Sequence, residues 1–420
     1  MVANPQVNRT FRLRQGLDAV GTGPIGLAPY VSERFFEDEK RIWRNSWLML
    51  GRESDLADPG AYIVFDLKAL NVSVVVTRNR DGRLHAFHNV CSHRAGRLLC
   101  DSHGRKSAIV CPFHNWTFNV DGSLRGLPEK QLFDGMENRE KYRLKSLSVD
   151  TWGGFVFVNL NPEPEYSLSE YTSGTPEMLG PYLKEQPWSW HTGYQHRFDA
   201  NWKDLMNIQH EGYHASYVHQ KTLGVRFGPN EVFTSLFPDS PGICSILTVN
   251  VPPPPGGVPP KFSTVQQLAM QFGSTSNWVG KDTSQASDRF PGAVNQDESQ
   301  RWIFDCYTLF PNLMLFVGND VLSVMRVWPL NAHEADWEWD WFFKDEMSNF
   351  GHLFNREHGR LATRNALTED WPICEMAHRN MRAGIVEKVH IGSEMEVSVR
   401  ALHEKLLRHM NLTEGDLDAY

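Results

Sequence analysis

Near the middle of the chain, three histidines and a carboxylate fall close together: His210, Glu211, His214 and His219. Imidazole and carboxylate at this density can bind a transition metal. Two frames are open. His210-Glu211-Gly212-Tyr213-His214 reads H-E-x-x-H, the zinc-hydrolase helix in which the glutamate acts as a base on water. In the other frame Glu211 leads His214 and His219. An acid followed by two imidazoles suits a mononuclear non-haem iron.

A second set lies well upstream. Cys91-Ser92-His93 and Cys111-Pro112-Phe113-His114 form C-x-H-x17-C-x2-H. Two thiolates and two imidazoles can close a structural Cys2His2 zinc site. They can also hold a Rieske [2Fe–2S] cluster, with both cysteines on one iron and both histidines on the other. The mixed Cys-x-His pair, Pro112, the shielding Trp116 and a setting at hairpin ends rather than on a finger helix favour the cluster. Cys100, Cys244, Cys306 and Cys374 are scattered over the chain, which argues against a disulfide framework.

The elements that must position these groups follow from the hydrophobic period. Phe35, Phe36, Ile42 and Trp43 recur at helical spacing after Ser32, so residues 1–45 are expected as a helical segment packing on the larger domain. From Trp47 the period is two. Strands are predicted over residues 62–65, 72–77, 84–87 and 154–160, with Asn79-Arg80-Asp81-Gly82 and Asp121-Gly122 as turns. Residues 46–162 therefore read as a small all-β domain. Residues 163–420 mix both periods. Residues 203–219 carry apolar residues at helical intervals; residues 244–251, 313–317, 321–328 and 337–343 read as strands, the last two as a hairpin. Residues 368–382 and 393–409 read as helices. This is an α+β pattern, helices covering one face of an antiparallel sheet. The proline run at residues 251–260 and the Ser/Thr/Gly/Asp-rich stretch at 273–295 predict an irregular lid or insertion over residues 251–300.

The totals exclude several classes. At 420 residues the chain is long for one core, so two domains are expected. A net charge of −8 without a run of Lys and Arg speaks against nucleic acid and anionic membranes. There is no apolar run of membrane-span length and no signal-peptide core at the N-terminus, so a cytoplasmic protein is expected.

On these residues the chain resembles the catalytic α subunit of the Rieske non-haem iron oxygenases, the ring-hydroxylating oxygenases. The resemblance spans nearly the whole length. It rests on CSHRAG and CPFHNW, on WGGFVFVNLNP closing the β domain, on NWK before the histidines and on the terminal LTEDWPICEMAHRNMRAG. It implies an all-β Rieske domain followed by a helix-grip (START-like) catalytic domain. Cys91 and Cys111 would bind one cluster iron, and His93 and His114 the other. Respiratory Rieske proteins have a further cysteine in each loop; Gly96 and Phe113 stand there, which matches the oxygenase type. Cys100 and His103 match no ligand.

The resemblance also implies that His214, His219 and the distant Asp370 hold the mononuclear iron. Glu211 takes the place of a bridging Asp that links the first iron histidine to a cluster histidine, His114, of a neighbouring subunit. A homotrimer, or a trimer with β subunits, follows from that bridge. Asn207 matches a polar residue common near the iron. Glu369 is expected to face solvent or to supply charge at a helix start, and His210 lies outside the ligand set. Implied cofactors are the [2Fe–2S] cluster, Fe(II) and O2, with NAD(P)H acting through a ferredoxin or a flavin reductase. The expected reaction is hydroxylation of a small apolar, aromatic substrate, as in aromatic hydrocarbon catabolism. The alternative is oxidative N- or O-dealkylation, including that of quaternary amines. The zinc hydrolase of the H-E-x-x-H frame is the remote rival, since it leaves the cysteine loops and His219 unused.

Overall fold

The computed structural model describes residues 15–133, 137–222, 227–251, 263–271, 290, 292–299, 301–318, 320–344 and 349–420. The chain divides into two compact units. One comprises Glu37–Tyr171 and Leu183–Glu185; the other comprises Met1–Phe36, Thr172–Tyr182 and Gln186–Tyr420. The N-terminal segment, expected as one piece on the larger domain, is split between them. The helix Glu33–Asn45 passes from one unit to the other within its first turn. Its far end belongs to the β unit because the Asn45 carbonyl accepts a hydrogen bond from Asn159 Nδ2 at 2.8 Å.

The β unit is built on a seven-stranded antiparallel sheet. Its order is Leu48–Arg52, Phe155–Asn159, Ser146–Trp152, Leu84–His88, Val72–Arg78, Ala61–Leu67, His103–Arg105. A smaller three-stranded sheet pairs Ile109–Val110, Thr117–Phe118 and Leu124–Gly126. Val74, Val75 and Val76 are all fully buried, and Phe155–Asn159 is buried at every residue. One core cluster contains both candidate cysteines, Cys91 and Cys111, together with Phe87, Leu98, Trp116 and Phe118. The cysteine loops are thus anchored in the same apolar core that stabilises the sheet.

The larger unit has its own seven-stranded antiparallel sheet. The order is Ser189–Phe198, Glu334–Phe343, Val321–Asn331, Leu313–Gly318, Trp302–Leu309, Ile243–Asn250, Val232–Leu236. The expected hairpin is present, pairing Val327 with Trp337 and Met325 with Trp339. Helices Trp202–Gln209, Phe350–Arg382 and Val397–Met410 accompany this sheet. The α+β expectation holds: a Rieske-type β unit and a catalytic unit of antiparallel sheet and helices. Much of the expected lid at residues 251–300 lies outside the described residues, which include the helix Thr264–Gln271 there. Among the described residues no helix is long and apolar enough to cross a membrane.

Two expected helix starts differ from the structure, one far too late and one slightly too early. The helix thought to open at residue 368 runs Phe350–Arg382, capped by Asn349, whose side chain accepts the His352 amide at 3.0 Å. The sequence Thr368-Glu369-Asp370-Trp371-Pro372 mimics a helix start because Pro is favoured in a first turn. Here Pro372 sits inside the helix. The true signal is the inward stripe Asn355, Gly359, Thr363, Ala366, Asp370, Cys374 and His378, all buried and spaced by three or four. The last long helix runs Val397–Met410 rather than from 393.

Candidate cluster and metal centres

The two cysteine loops share one backbone design. In the first, the Cys91 amide donates to the Gly96 carbonyl at 2.8 Å, and the Ala95 amide returns to the Cys91 carbonyl at 3.1 Å. In the second, the Cys111 amide donates to Trp116 at 2.8 Å and the Asn115 amide to Cys111 at 2.9 Å. Ala95 and Asn115 both adopt φ 56°, the left-handed turn that lets each loop fold back on its cysteine. Gly96 packs tightly on the second loop: a Cβ there would lie 3.3 Å from the Cys111 sulfur.

The side chains meet between the loops. The His93 and His114 ring centroids are 4.7 Å apart. His93 stacks on Trp116 at 4.7 Å and 4°, with Phe133 edge-on at 5.5 Å. Nδ1 of His114 is buried without a hydrogen-bond partner among the described residues. Cys91 and Cys111 are both free thiols, buried at 3% and 2% exposure. Burial, reinforced by the neighbouring Cys111, pushes the Cys91 thiol up to about 11, while the His93 and Arg94 amides aimed at its sulfur pull the other way. Without a cation this is a costly place for a thiolate; a metal supplies the missing charge. Two adjacent buried thiols and a neighbouring imidazole pair with an orphaned ring nitrogen therefore fit an iron–sulfur cluster. Cys100 is exposed, and His103 bonds Ser102, so neither joins this set.

The second centre is assembled from separate elements. His214 and His219 flank the short helix Ala215–Val218, and Asp370 comes from the long helix. One ligand-capable atom from each lies within 4.8 Å of the others. Asp370 Oδ1 is 3.6 Å from His214 Nε2 and 3.2 Å from His219 Nε2. That oxygen is buried and has no hydrogen-bond partner among the described residues. The other oxygen accepts from Gln209 Nε2 at 3.3 Å. Burial pushes the Asp370 carboxyl up to about 7. An orphaned carboxylate oxygen facing two imidazole nitrogens fits a divalent cation, and two imidazoles with one carboxylate fit Fe(II).

Each imidazole is turned by a carboxylate on its outer nitrogen, as metal-ligating histidines commonly are. Glu211 meets Nδ1 of His214 and also accepts the Tyr213 amide. Glu369 accepts from Nδ1 of His219 at 3.0 Å and from the Thr222 hydroxyl at 2.7 Å. This corrects the expectation for Glu369. The residue lies mid-helix beside Asp370 and orients His219, instead of facing solvent or charging a helix start. The two imidazoles differ in charge preference. Burial would lower His214, but the Glu211 hydrogen bond and charge outweigh it and raise it; burial wins at His219 and lowers it.

A further tie sets the helix register. His378 Nδ1 lies 2.8 Å from Asp204 Oδ2, joining the long helix to Trp202–Gln209. His378 is two turns beyond Asp370, so this buried contact fixes how far the carboxylate reaches toward the histidines. Gln209, Asp204 and His378 were missed in the sequence. The signal that could have found His378 was the stripe it shares with Asp370, at i+4 and i+8 through Cys374. Asn207, expected near the iron, donates to the Tyr30 hydroxyl at 3.0 Å. His210 is fully buried, neither ring nitrogen has a partner among the described residues, and burial holds it down at about 3. It does not join the described ligand cluster, so the H-E-x-x-H frame gains nothing. Gly212 within that frame is needed for close packing, since a Cβ would meet Val232 at 2.9 Å.

A cavity of about 90 Å³ opens on the triad. Phe227, Val232, Leu247, Phe304, Phe316 and Leu367 form its apolar wall, and Glu211 and Asp370 its acidic edge. No Lys or Arg is among its described lining residues.

Comparison with known proteins agrees with both centres. The Rieske [2Fe–2S] domain family matches residues 46–140. The family described as ring hydroxylating alpha subunit (catalytic domain) matches residues 186–412, more than half of the chain. The glycine betaine monooxygenase oxygenase subunit of Pseudomonas aeruginosa is 27% identical over 320 residues, 73% of this chain and 70% of that protein. The chloroplastic choline monooxygenase of Spinacia oleracea is 33% identical over 200 residues, 46% of this chain and 44% of that protein. In structure, a quaternary ammonium Rieske monooxygenase crystallised with its substrate L-carnitine shares the fold. The TM-score is 0.70 at 21% identity, over 94% of this chain and 97% of that one. Family members carry a Rieske cluster with a mononuclear iron and use O2 with reductase-derived electrons. The chain belongs to the ring-hydroxylating α-subunit family and is the terminal oxygenase of a Rieske system.

Proposed function

We propose that this oxygenase oxidises an alkyl carbon next to the nitrogen of a quaternary or tertiary amine, releasing that alkyl group. The observation that carries the reading is the cavity beside the triad. Three phenyl rings, Phe227, Phe304 and Phe316, share it with two carboxylates, and its described lining holds no Lys or Arg. Ring faces and carboxylates favour a cation that keeps its charge while shedding water. The relatives named for glycine betaine and choline point the same way. They support the dealkylating alternative over the hydroxylation of an aromatic ring.

Cys91, Cys111, His93 and His114 would hold the cluster, and His214, His219 and Asp370 the iron. Together these groups supply the electrons and the site at which O2 is reduced. The protein's own residues set the geometry. Glu211 and Glu369 each hold an imidazole by its Nδ1, leaving Nε2 for the metal. Gln209 holds one oxygen of Asp370 and leaves the other free. The apolar wall excludes water from the reacting carbon. Glu211 also bridges to His114 of a neighbouring copy, which calls for a closed ring such as a homotrimer, with or without β subunits. A ferredoxin or flavin reductase feeds electrons to the cluster.

The test is turnover with a generic reductase on choline, glycine betaine, carnitine and a set of aromatic acids and hydrocarbons, with products read by mass spectrometry. Release of the alkyl group as an aldehyde from an ammonium compound is expected. Coupled ring hydroxylation with no ammonium turnover would return the aromatic reading. Glu211→Ala is expected to keep the cluster, to hold iron more weakly because His214 loses its orienting carboxylate, and to stop turnover even when the iron site is refilled.

A further inference from the structure

A ladder of aromatic rings starts one residue from the metal triad. Trp371 follows Asp370 on the long helix. Its ring lies 5.9 Å from Trp337 and stacks on the exposed imidazole of His196 at 4.4 Å and 10°. Trp337, Trp339 and Trp341 then occupy alternate positions of strand Glu334–Phe343, pointing to one face and 0–2% exposed. Their centroids are 5.6 Å apart from Trp337 to Trp339 and 4.7 Å apart from Trp339 to Trp341. Tyr194 on the neighbouring edge strand lies 5.8 Å from Trp339.

Packing alone does not explain the indoles. Trp is suited to a core where its N–H finds an acceptor. The buried N–H groups of Trp339 and Trp341 have none among the described residues, and neither has the buried Tyr194 hydroxyl. An unpaired buried donor is destabilising. Phenylalanine would cover most of the same surface without that cost. What indole offers beyond phenyl is a low oxidation potential.

We infer that the Trp371–Trp337–Trp339–Trp341 ladder is an electron reservoir that protects the metal site when O2 is reduced without a substrate to oxidise. Trp371 gives one electron to the oxidising equivalent left in the site. Electrons then step from Trp337 to Trp371 and from Trp339 to Trp337, so the vacancy moves away as an indole radical cation. No proton has to pass between rings. The vacancy is refilled by one electron from the reductase supply, re-entering through Trp371, which returns the indoles unchanged; an indole radical that instead loses its proton and captures O2 is the slow leak that oxygenates the ring. The Arg360 guanidinium, 5.4 Å from the Tyr194 ring centroid, opposes positive charge there and keeps the vacancy on the indoles. The site histidines are spared as long as the ladder holds the vacancy.

The experiment uses the loaded oxygenase with reductase, NAD(P)H and O2 but no substrate, so it does not depend on which substrate is correct. Wild type is compared with Trp337→Phe and Trp339→Phe, each checked for its circular dichroism and for its iron content. Expected in wild type are a tryptophan-radical signal in freeze-quenched samples and, by peptide mass spectrometry, slow oxygenation at Trp371, Trp337 and Trp339. In Trp337→Phe the radical signal should shrink, oxygenation should concentrate on Trp371, His214 and His219, and inactivation should come after several-fold fewer turnovers. Trp339→Phe should show the same change more weakly, because one step of the ladder remains. Wild-type damage confined to His214 and His219 with no indole radical overturns the proposal, and so do unchanged inactivation counts in both variants.

Discussion

The two centres of this protein are built on opposite plans. The cluster loops close on themselves: each cysteine amide and carbonyl pairs within its own loop, and a left-handed residue makes the turn. The triad draws on two segments far apart in sequence, and its posture depends on side chains: Glu211, Glu369 and Gln209 on the ligands, and Asp204 with His378 between the helices. Backbone closure makes a site robust and local, whereas side-chain closure makes it dependent on helix register.

This contrast can be broken at its strongest point first. Cys111→Ala should abolish the Rieske EPR signal while leaving iron at His214, His219 and Asp370. Metal analysis with EPR reads both, and equal loss of cluster iron and mononuclear iron would show that the centres are not independently built. Asp370→Ala should do the converse, emptying the mononuclear site and preserving the cluster signal. Glu369→Gln tests the side-chain plan more finely. It should weaken iron retention against a chelator by about 10–100-fold, with the cluster unchanged. If Glu369→Gln holds iron as well as wild type, the carboxylate does not orient His219. The smallest effect belongs to the backbone plan. Asn115→Val should cost the β unit about 1–2 kcal/mol, since a branched residue resists φ 56°. Asn115→Gly should be close to neutral, and thermal unfolding followed at the cluster absorption compares the two.

How much of each centre could be read from the sequence follows from the same contrast. The cluster set lies within one short stretch, C-x-H-x17-C-x2-H, so spacing alone carries most of its chemistry. His214 and His219 were visible for the same reason. Asp370 was found through the resemblance, but its setting was misread, because Pro372 imitates a first turn and Gly351 and Gly359 weaken the helical pattern before it. Glu369 was assigned the wrong surroundings for the same reason. Once the helix extends back to Phe350, Glu369 is an interior residue beside the ligand, within reach of His219 and Thr222. Asn207 and Gln209 are both polar residues of one helix, and only the packing shows that Gln209 reaches Asp370 while Asn207 turns to Tyr30.

By itself the sequence determined the domain types and the membership of the oxygenase family, and it singled out the candidate cluster residues, because these depend on residue type and on short-range period and spacing. It also favoured iron over zinc at H-E-G-Y-H, because the zinc frame leaves the cysteine loops and His219 unused. The tertiary structure adds what no local spacing shows: Asp370 arrives from another helix beside His214 and His219, while His210 is buried outside that group. The tryptophan ladder is of the same kind. Alternate tryptophans at 337, 339 and 341 are plain in the sequence, but their link to the metal site exists only because Trp371 packs against them. Contacts between distant segments carry no local pattern, and it is those contacts that turn the side chains of this protein into an active site.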